Sequence, residues 1–300
     1  MSRYGVIDVG SNTIHLLVGK VQDGGVLPIT GEKISARLGA GVDKTGKLEE
    51  KRLTLAAEAI RLFVKVSSLN GVSEPSILAT SAVRDAENGP ELRERVADST
   101  GLQMRLISGE EESALGFKGA VSVVGESWEG PALVVDLGGG SAQLILGEMS
   151  SGPLMQVSLP LGTNRTTEKF VDKDPAKKKE LRSLDEHVKK LMPGWGLVER
   201  VPVVAVGGSA RAILRITQDQ LTTERLRKLA EEITDYPSEV LARKYGLAPE
   251  RARVMPSAVT TLAAILDHFD RGELSVARGG VREGAILSLA EESSGNSKAK

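Results

Sequence analysis

One stretch of this chain occurs twice. Residues 6–19 read VIDVGSNTIHLLVG, and residues 134–147 read VVDLGGGSAQLILG. They align without a gap at a constant offset of 128 residues, so that Asp8 meets Asp136, Gly10 meets Gly138, Thr13 meets Ser141, Leu16 meets Leu144 and Gly19 meets Gly147. A repeat of a whole supersecondary unit constrains the fold more than any single motif. It predicts two similar α/β halves, each opening with an Asp-x-Gly hairpin, facing each other across a cleft. A length of 300 residues agrees with two domains.

The repeated unit has a chemical logic. Glycines let the backbone approach a ligand closely and present its N–H groups in a concave nest suited to phosphate oxygens. The hydroxyl of Thr13 or Ser141 adds a donor. The Asp at the strand end can hold a metal or its water shell. One copy would read as an ordinary tight hairpin. Two copies at matched positions point to phosphate binding.

Along the rest of the first half the pattern predicts a strand, a turn and two further strands up to GGVLPITGEKI. A Gly-rich loop follows (RLGAGVDKTGK), then a helix over residues 48–69 with apolar residues at helical spacing. SILAT is a short buried strand, and SAVRDAENGP a turn-rich loop leading into a helix over about 91–99. LQMRLI is a strand, and a helix over about 109–121 closes the half. Turn residues cluster in GESWEGP, which places the domain boundary near residue 125. The second half predicts strands at 132–136, 141–147 and 154–159. A basic helix follows, with Pro175 in its first turn, then a strand, Gly-Gly turn and helix in VPVVAVGGSARAIL. Several helices run to about 270, and ELSVARGGVREGAILSLAEES supplies a final strand, turn and helix. The polar tail SSGNSKAK reads as frayed.

Composition removes several classes of function. Lys plus Arg is 39 and Asp plus Glu is 40, so no global field draws the chain to nucleic acid or anionic lipid. Aromatics are 3%, too few for base-stacking platforms. There is no cysteine, which excludes disulfides and thiolate chemistry and fits the cytoplasm. No secretory signal opens the chain, and no apolar run reaches the roughly 20 residues that span a bilayer. The three histidines, His15, His187 and His268, lack zinc-site spacing. A metal held here would sit among carboxylate and substrate oxygens, which suggests Mg²⁺.

Other segments carry single candidates. In SGEEES, Ser108 and Glu111 match an S-x-x-E capping box. Glu112, turned about 100° from Glu111 on the helix, is left free to face the cleft. Acidic residues in a first helical turn are also common in themselves. Arg84 in SAVRDA offers a bidentate guanidinium to phosphate, the alternative being a surface ion pair with Asp85 or Glu87. Arg37 in ARLGAGVD is a weaker candidate of the same kind. Gly207, Gly208, Ser209 and Arg211 form a strand-to-helix turn that suits an anion, or close helix–strand packing. Lys177, Lys178, Lys179, Lys189 and Lys190 are balanced by Glu180, Asp185 and Glu186 and read as a solvated helix face.

In this order DVGSNTIHLLV, ATSAVRDAENG, SGEEES, DLGGGSAQLILG, SLPLGTNRTTEKF, AVGGSARAI and GGVREGAIL resemble the signature segments of the exopolyphosphatase / guanosine pentaphosphate phosphohydrolase (Ppx/GppA) family, in its short two-domain form. That family belongs to the sugar kinase–Hsp70–actin superfamily. The resemblance implies two duplicated actin-like (ribonuclease H-like) domains, over residues 1–124 with a returning helix of about 281–300, and 125–280. It implies Mg²⁺-assisted attack of water on a terminal phosphoryl group of inorganic polyphosphate, or of guanosine pentaphosphate. Glu112 would be the general base, and Arg84 would contact the substrate. Gly10, Ser11, Asn12, Thr13, Arg37, Gly138, Gly139, Gly140, Ser141, Gly208 and Ser209 would bind it. Asp136, Asp8 and Gln143 would hold the metal. A cytoplasmic homodimer with no nucleic-acid or membrane partner completes the expectation. A non-hydrolytic sensor is the alternative of a different class. A kinase is disfavoured by the SGEEES and SAVRDA segments.

The family usually has Glu where Gln143 stands. Gln keeps a carbonyl oxygen but loses a charge. Gln143→Glu is therefore expected to lower the Mg²⁺ concentration that gives half-maximal activity. An unchanged Mg²⁺ titration would show that residue 143 does not touch the metal.

Overall fold

The structure is a computed structural model that describes residues 2–124, 130–148, 151–196 and 201–298. Its contacts divide the chain into two units, Met1–Trp128 with Gly279–Lys300, and Glu129–Arg278. The expected boundary near 125 falls at residues 125–129, outside the described residues.

The first unit opens with a meander, β1 (Tyr4–Val9), β2 (Ile14–Gln22) and β3 (Gly25–Ile34). Then come α1 (Val42–Thr45), α2 (Glu50–Leu69), β4 (Ser76–Ala79), α3 (Ser81–Asp85), α4 (Gly89–Thr100), β5 (Met104–Leu106) and α5 (Gly109–Val124). The sheet order is β3-β2-β1-β4-β5, with β1, β4 and β5 parallel and the meander antiparallel. The second unit repeats the plan with β6 (Pro131–Leu137), β7 (Ala142–Glu148), β8 (Gly152–Leu159), α6 (Thr163–Phe170), α7 (Lys178–Leu191), β9 (Val203–Val206) and α8 (Gly208–Thr217). It continues with β10 (Leu221–Thr222), α9 (Thr223–Ile233), α10 (Ser238–Tyr245), α11 (Pro249–His268) and β11 (Glu273–Val276). Its sheet order is β10-β11-β9-β6-β7-β8. The last helix, α12 (Val281–Lys298), belongs to the first unit.

The duplication extends to a local irregularity. The ladder of β2 with β3 shifts register between Val18 and Gly19, and that of β7 with β8 between Leu146 and Gly147, again 128 residues apart. A side chain on Gly19 would meet Val26 Cγ1 at 2.8 Å and Leu27 O at 3.1 Å. The bulge therefore needs its glycine.

Each sheet buries its apolar alternation under helices. In the first unit Ile7, Val9, Leu16 and Ile77 pack under α2 and α4 with Leu53, Ile60, Phe63, Leu92 and Val96. The other face carries Val6, Leu17, Leu78 and Ile107 under α5 and α12. In the second unit α11 is buried from Val254 to Leu266 because α6, α7, α8, α9 and α10 all pack against it. A helix apolar on all sides is a core helix. Arg227 of α9 ties it outward, bridging Asp185 of α7 at 2.6 Å and Asp267 of α11. Among the described residues no helix is long and apolar enough to cross a membrane.

Several segments differ from expectation. The loops RLGAGVDKTGK and SAVRDAENGP each contain a short helix, α1 and α3. Helix α6, in a Thr-rich run of low intrinsic propensity, is held by Thr166 and Thr167 hydroxyls on the carbonyls of Gly162 and Thr163, and by Thr167 on Ser257. The basic helix starts at Lys178 rather than at Pro175, because Glu180 accepts the amides of Asp172, Lys173 and Lys177 and caps it there. Helix α12 continues to Lys298, so the polar tail is helical up to that residue.

Helices α5 and α12 cross at backbone contact. A Cβ on Gly284 would lie 1.9 Å from Leu115 O, and one on Gly119 would lie 2.0 Å from Gly280 O. Gly→Ala in a helix normally gains about 1 kcal/mol. Gly284→Ala is expected to reverse that sign and cost about 3 kcal/mol through overpacking against backbone. Gly194→Ala, with nothing within 4 Å, is expected to stay within about 0.5 kcal/mol. Thermal or urea unfolding of both variants checks the contrast.

Candidate functional site

In an open α/β sheet, ligands bind beyond the carboxyl ends of the parallel strands. In the first unit these ends are held together by backbone bonds, from Thr80 N to Val9 O at 3.2 Å and from Ile107 N to Ala79 O at 3.0 Å. The chain leaving β1 turns through Gly10, whose N–H donates to Thr13 O at 3.2 Å. A second loop lies against this turn. Arg37 N donates to Asn12 O and Gly39 N to Ser11 O, both at 2.8 Å, while Leu38 between them is fully buried. The carbonyls of Ser11 and Asn12 are thereby occupied. Among the described residues, the amides of Ser11, Asn12 and Thr13 have no protein acceptor. Arg37 adopts a left-handed φ of 50°, and its side chain is exposed beside this turn. Non-glycine residues pay for that conformation, and it concentrates at functional sites.

Arg84 stands on α3, and Ser81 at the start of that helix bonds Ser11 Oγ at 2.9 Å. Arg84 Nη1 donates to Ile107 O at 2.8 Å and lies 3.5 Å from Glu112 Oε2. Its Nε is 3.9 Å from Asp85. Glu112 is 9% exposed. Its amide donates to Ser108 O at 2.9 Å in the first turn of α5. Only half of the expected capping box forms. Ser108 Oγ accepts from Glu111 N at 3.1 Å, but the Glu111 carboxylate pairs with Arg105. A guanidinium outbids a backbone amide for an exposed carboxylate. Glu111 is thus occupied by a different partner from the one the sequence suggests, and Glu112 points inward.

The second unit solves the same problem with other residues. Gly138 N donates to Ser141 O at 3.0 Å. The first turn of α6 then binds the loop carbonyls, with Thr163 N on Gly138 O at 2.9 Å and Asn164 N on Gly139 O at 2.9 Å. A Cβ on Gly162 would lie 2.2 Å from Gly140 C, so only glycine permits the approach. Among the described residues the amides of Gly139, Gly140 and Ser141 have no protein acceptor. Gln143 is buried, and its Nε2 donates to Ser141 Oγ at 2.8 Å and Ser158 Oγ at 3.0 Å. Ser209, at the start of α8, accepts from Arg251 Nη1 at 3.0 Å, and Gly208 leaves room for that guanidinium, with a Cβ there meeting Nη2 at 2.6 Å. Burial, and then the nearby charge of Arg211, push the Arg251 guanidinium below its usual pKa. Sequence reasoning missed Arg251, which reaches its site from a distant segment and belongs to no local motif, and Ser81, which stands in the SAVRDA segment but whose partner Ser11 lies 70 residues away.

Asp8 and Asp136 occupy equivalent places near the ends of β1 and β6, in register with His15 and Gln143 respectively. Among the described residues no group of three or more His, Asp or Glu gathers around one point. Mg²⁺ bound by one or two carboxylates together with phosphate oxygens and water needs no such group. Asp8 in the first unit and Asp136 in the second are each a single carboxylate that fits that mode. The first unit thus gathers Asp8, Gly10, Ser11, Asn12, Thr13, Arg37, Arg84 and Glu112. The second gathers Asp136, Gly138, Gly139, Gly140, Ser141, Gln143, Gly208 and Ser209.

Known proteins share this organisation. The sequence profile of the Ppx/GppA phosphatase family matches residues 17–293. Exopolyphosphatase 1 of Mycobacterium tuberculosis is 31% identical over 302 residues, covering 95% of this chain and 87% of that protein. Guanosine-5'-triphosphate,3'-diphosphate pyrophosphatase of Vibrio campbellii is 29% identical, covering 96% of this chain and 59% of its own length. The crystal structure of the Aquifex aeolicus member of the Ppx/GppA family matches with a TM-score of 0.80 at 26% identity, covering 97% of this chain and 98% of that one.

Gly207 carries a positive φ of 97°, and a Cβ there would lie 3.2 Å from Asp136 Oδ1 and 3.1 Å from Leu137 O. Gly207→Ala is expected to cost about 1–3 kcal/mol of stability from strain and to displace the Asp136 carboxylate. Unfolding measurements together with a Mg²⁺ titration of the variant check both effects.

Proposed function

The chain belongs to the Ppx/GppA phosphatase family, and from that premise we propose that it removes the terminal phosphate of inorganic polyphosphate by hydrolysis. Members of this family are phosphoanhydride hydrolases. The observation that carries the reading is the Arg84–Glu112 pair, 3.5 Å apart, beside a turn whose amides face away from their own carbonyls' partners.

The roles follow from what each group can do. The amides of Ser11, Asn12 and Thr13, and those of Gly139, Gly140 and Ser141, bind phosphate oxygens as backbone nests. Arg37 adds an exposed charge at the edge of the first nest. Gly208 and Ser209 extend the binding surface of the second unit. Glu112 orients a water molecule and accepts its proton as the oxygen attacks the terminal phosphorus. The bridging P–O bond breaks, and the shortened chain leaves with that bond's electron pair. Arg84 neutralises charge on the transferred phosphoryl group. Its bond to Ile107 O fixes the guanidinium before substrate arrives. In the second unit Asp136 with Gln143 Oε1, and in the first unit Asp8, are the oxygen donors that would hold Mg²⁺, which supplies charge neutralisation on the phosphate oxygens.

Polyphosphate is favoured over guanosine pentaphosphate by the side chains at hand. None of the site residues named above is aromatic, so they offer a purine base no stacking platform. Guanosine pentaphosphate is the second reading, because its 5′ end carries the same kind of bond.

The test is phosphate release from long-chain polyphosphate, tripolyphosphate, guanosine pentaphosphate and ATP, with and without Mg²⁺. Release from polyphosphate is expected to be fastest. Release from guanosine pentaphosphate alone overturns the polyphosphate reading, and binding without release supports a sensor. Glu112→Gln is expected to lower kcat about 10²–10⁴-fold and to keep substrate affinity. A fully active variant would remove Glu112 from the base role.

A further inference from the structure

The two repeats differ at one position that is otherwise equivalent. His15 in β2 corresponds to Gln143 in β7, and each lies in register with the aspartate of its hairpin. His15 Nε2 lies 2.8 Å from Thr13 Oγ1, and Gln143 Nε2 lies 2.8 Å from Ser141 Oγ. The side chains differ in chemistry but contact the same hydroxyl of the same turn. Behind His15 stands Arg282 of α12, whose Nη1 is 3.3 Å from His15 Nδ1.

Arg282 constrains the polarity of this chain of contacts. A guanidinium has only donors, so His15 Nδ1 must offer a lone pair to it. A neutral imidazole that accepts at Nδ1 carries its proton on Nε2. Nε2–H therefore donates to Thr13 Oγ1. Once that oxygen accepts, the hydroxyl proton of Thr13 is left to donate elsewhere. The amide nitrogen of Gln143 has the same consequence for Ser141, and Ser158 secures the amide by accepting its second N–H at 3.0 Å.

We propose that His15, fixed by Arg282, is a positioning residue that turns the Thr13 hydroxyl into a donor toward a substrate phosphate, and that Gln143 does the same for Ser141. The inference rests on the phosphate-binding reading of the two turns. It assigns Gln143 a task independent of any metal. It also links α12, which rejoins the first unit after the second has been completed, to the substrate turn through His15.

Two measurements test it. The first needs no substrate. Long-range ¹⁵N–¹H correlation spectra resolve the protonation of each ring nitrogen, and the chain has three histidines, so His15 is assigned by the signal lost in His15→Gln. The expected result is an unprotonated Nδ1 and a protonated Nε2. A proton on Nδ1 overturns the relay. The second is calorimetric binding of tripolyphosphate. His15→Phe and Arg282→Met are each expected to weaken binding about tenfold, with KM raised, kcat within twofold and an unchanged thermal midpoint. The two effects should not add in the double variant. Gln already serves this position in the second repeat, so His15→Gln is expected to recover most of the affinity lost in His15→Phe. Tripolyphosphate affinity unchanged in both His15→Phe and Arg282→Met overturns the proposal, as does equal loss in His15→Gln and His15→Phe. A wild-type protein that binds no tripolyphosphate overturns the phosphate reading itself. The ring-nitrogen spectrum then still decides the hydrogen-bond polarity on its own.

Discussion

A peptide group has two polar ends, and in both repeats one end is tied behind the turn. The carbonyls of Ser11 and Asn12 accept from Gly39 and Arg37 respectively, and those of Gly138 and Gly139 accept from Thr163 and Asn164. Tying a carbonyl fixes the direction of its peptide plane. The amides on the other side become a rigid array, and buried amides need acceptors. The rest of the architecture serves this arrangement. Leu38 is buried so that Arg37 and Gly39 stay in place, and Gly162 is a glycine so that α6 can reach the second turn. An anion binding there meets donors that need no reorganisation, which is where electrostatic stabilisation is strongest.

The two repeats reach this state by different means, and that shows what duplication preserves. The strands, their order and even the bulge at Gly19 and Gly147 are kept. The supports of the turns are not. One is an extended loop pinned by a buried leucine, and the other is a helix start. The charge environments have also diverged. In the first unit the Arg84 guanidinium has a carboxylate within 3.5 Å. In the second, Arg251 is partly buried near Arg211, whose like charge repels its own. A paired guanidinium and carboxylate suit proton handling. A crowded pair of guanidinium groups creates a field that favours an anion. The proposed division of labour, with the base in the first unit, follows this difference.

Much of this was legible in the sequence because it is local or periodic. The Asp-x-Gly turns, the strands beside them and the helices α2, α5 and α8 are encoded within short windows. What escaped is set by tertiary contact. The Thr-rich α6 has poor intrinsic propensity and exists because Gly139 and Ser257 give its polar groups partners. The start of α7 moved from Pro175 to Lys178 because the Glu180 carboxylate gathers three amides upstream. Glu111 left its capping role because Arg105, on the neighbouring strand, is the stronger partner. The pairing of Arg84 with Glu112 spans 28 residues and depends on β5 bringing Ile107 between them. No spacing rule contains that information.

Gln143 carries the argument furthest. Read as a sequence position it is a missing charge, a carboxamide where relatives of this kind usually have a carboxylate. Read in the structure its nitrogen is fully used, with both N–H groups on serine hydroxyls. A glutamate there could only accept, and both serines would turn their protons toward it. The exchange of one oxygen for one nitrogen therefore moves two hydroxyl protons as well as one charge. In the first repeat an imidazole whose other nitrogen faces Arg282 does the same to Thr13. A carboxylate at 143 gives up donor polarity in the turn to gain metal charge, and a carboxamide makes the opposite choice. On the proposed relay, this chain with its carboxamide aligns the hydroxyls of both turns as donors.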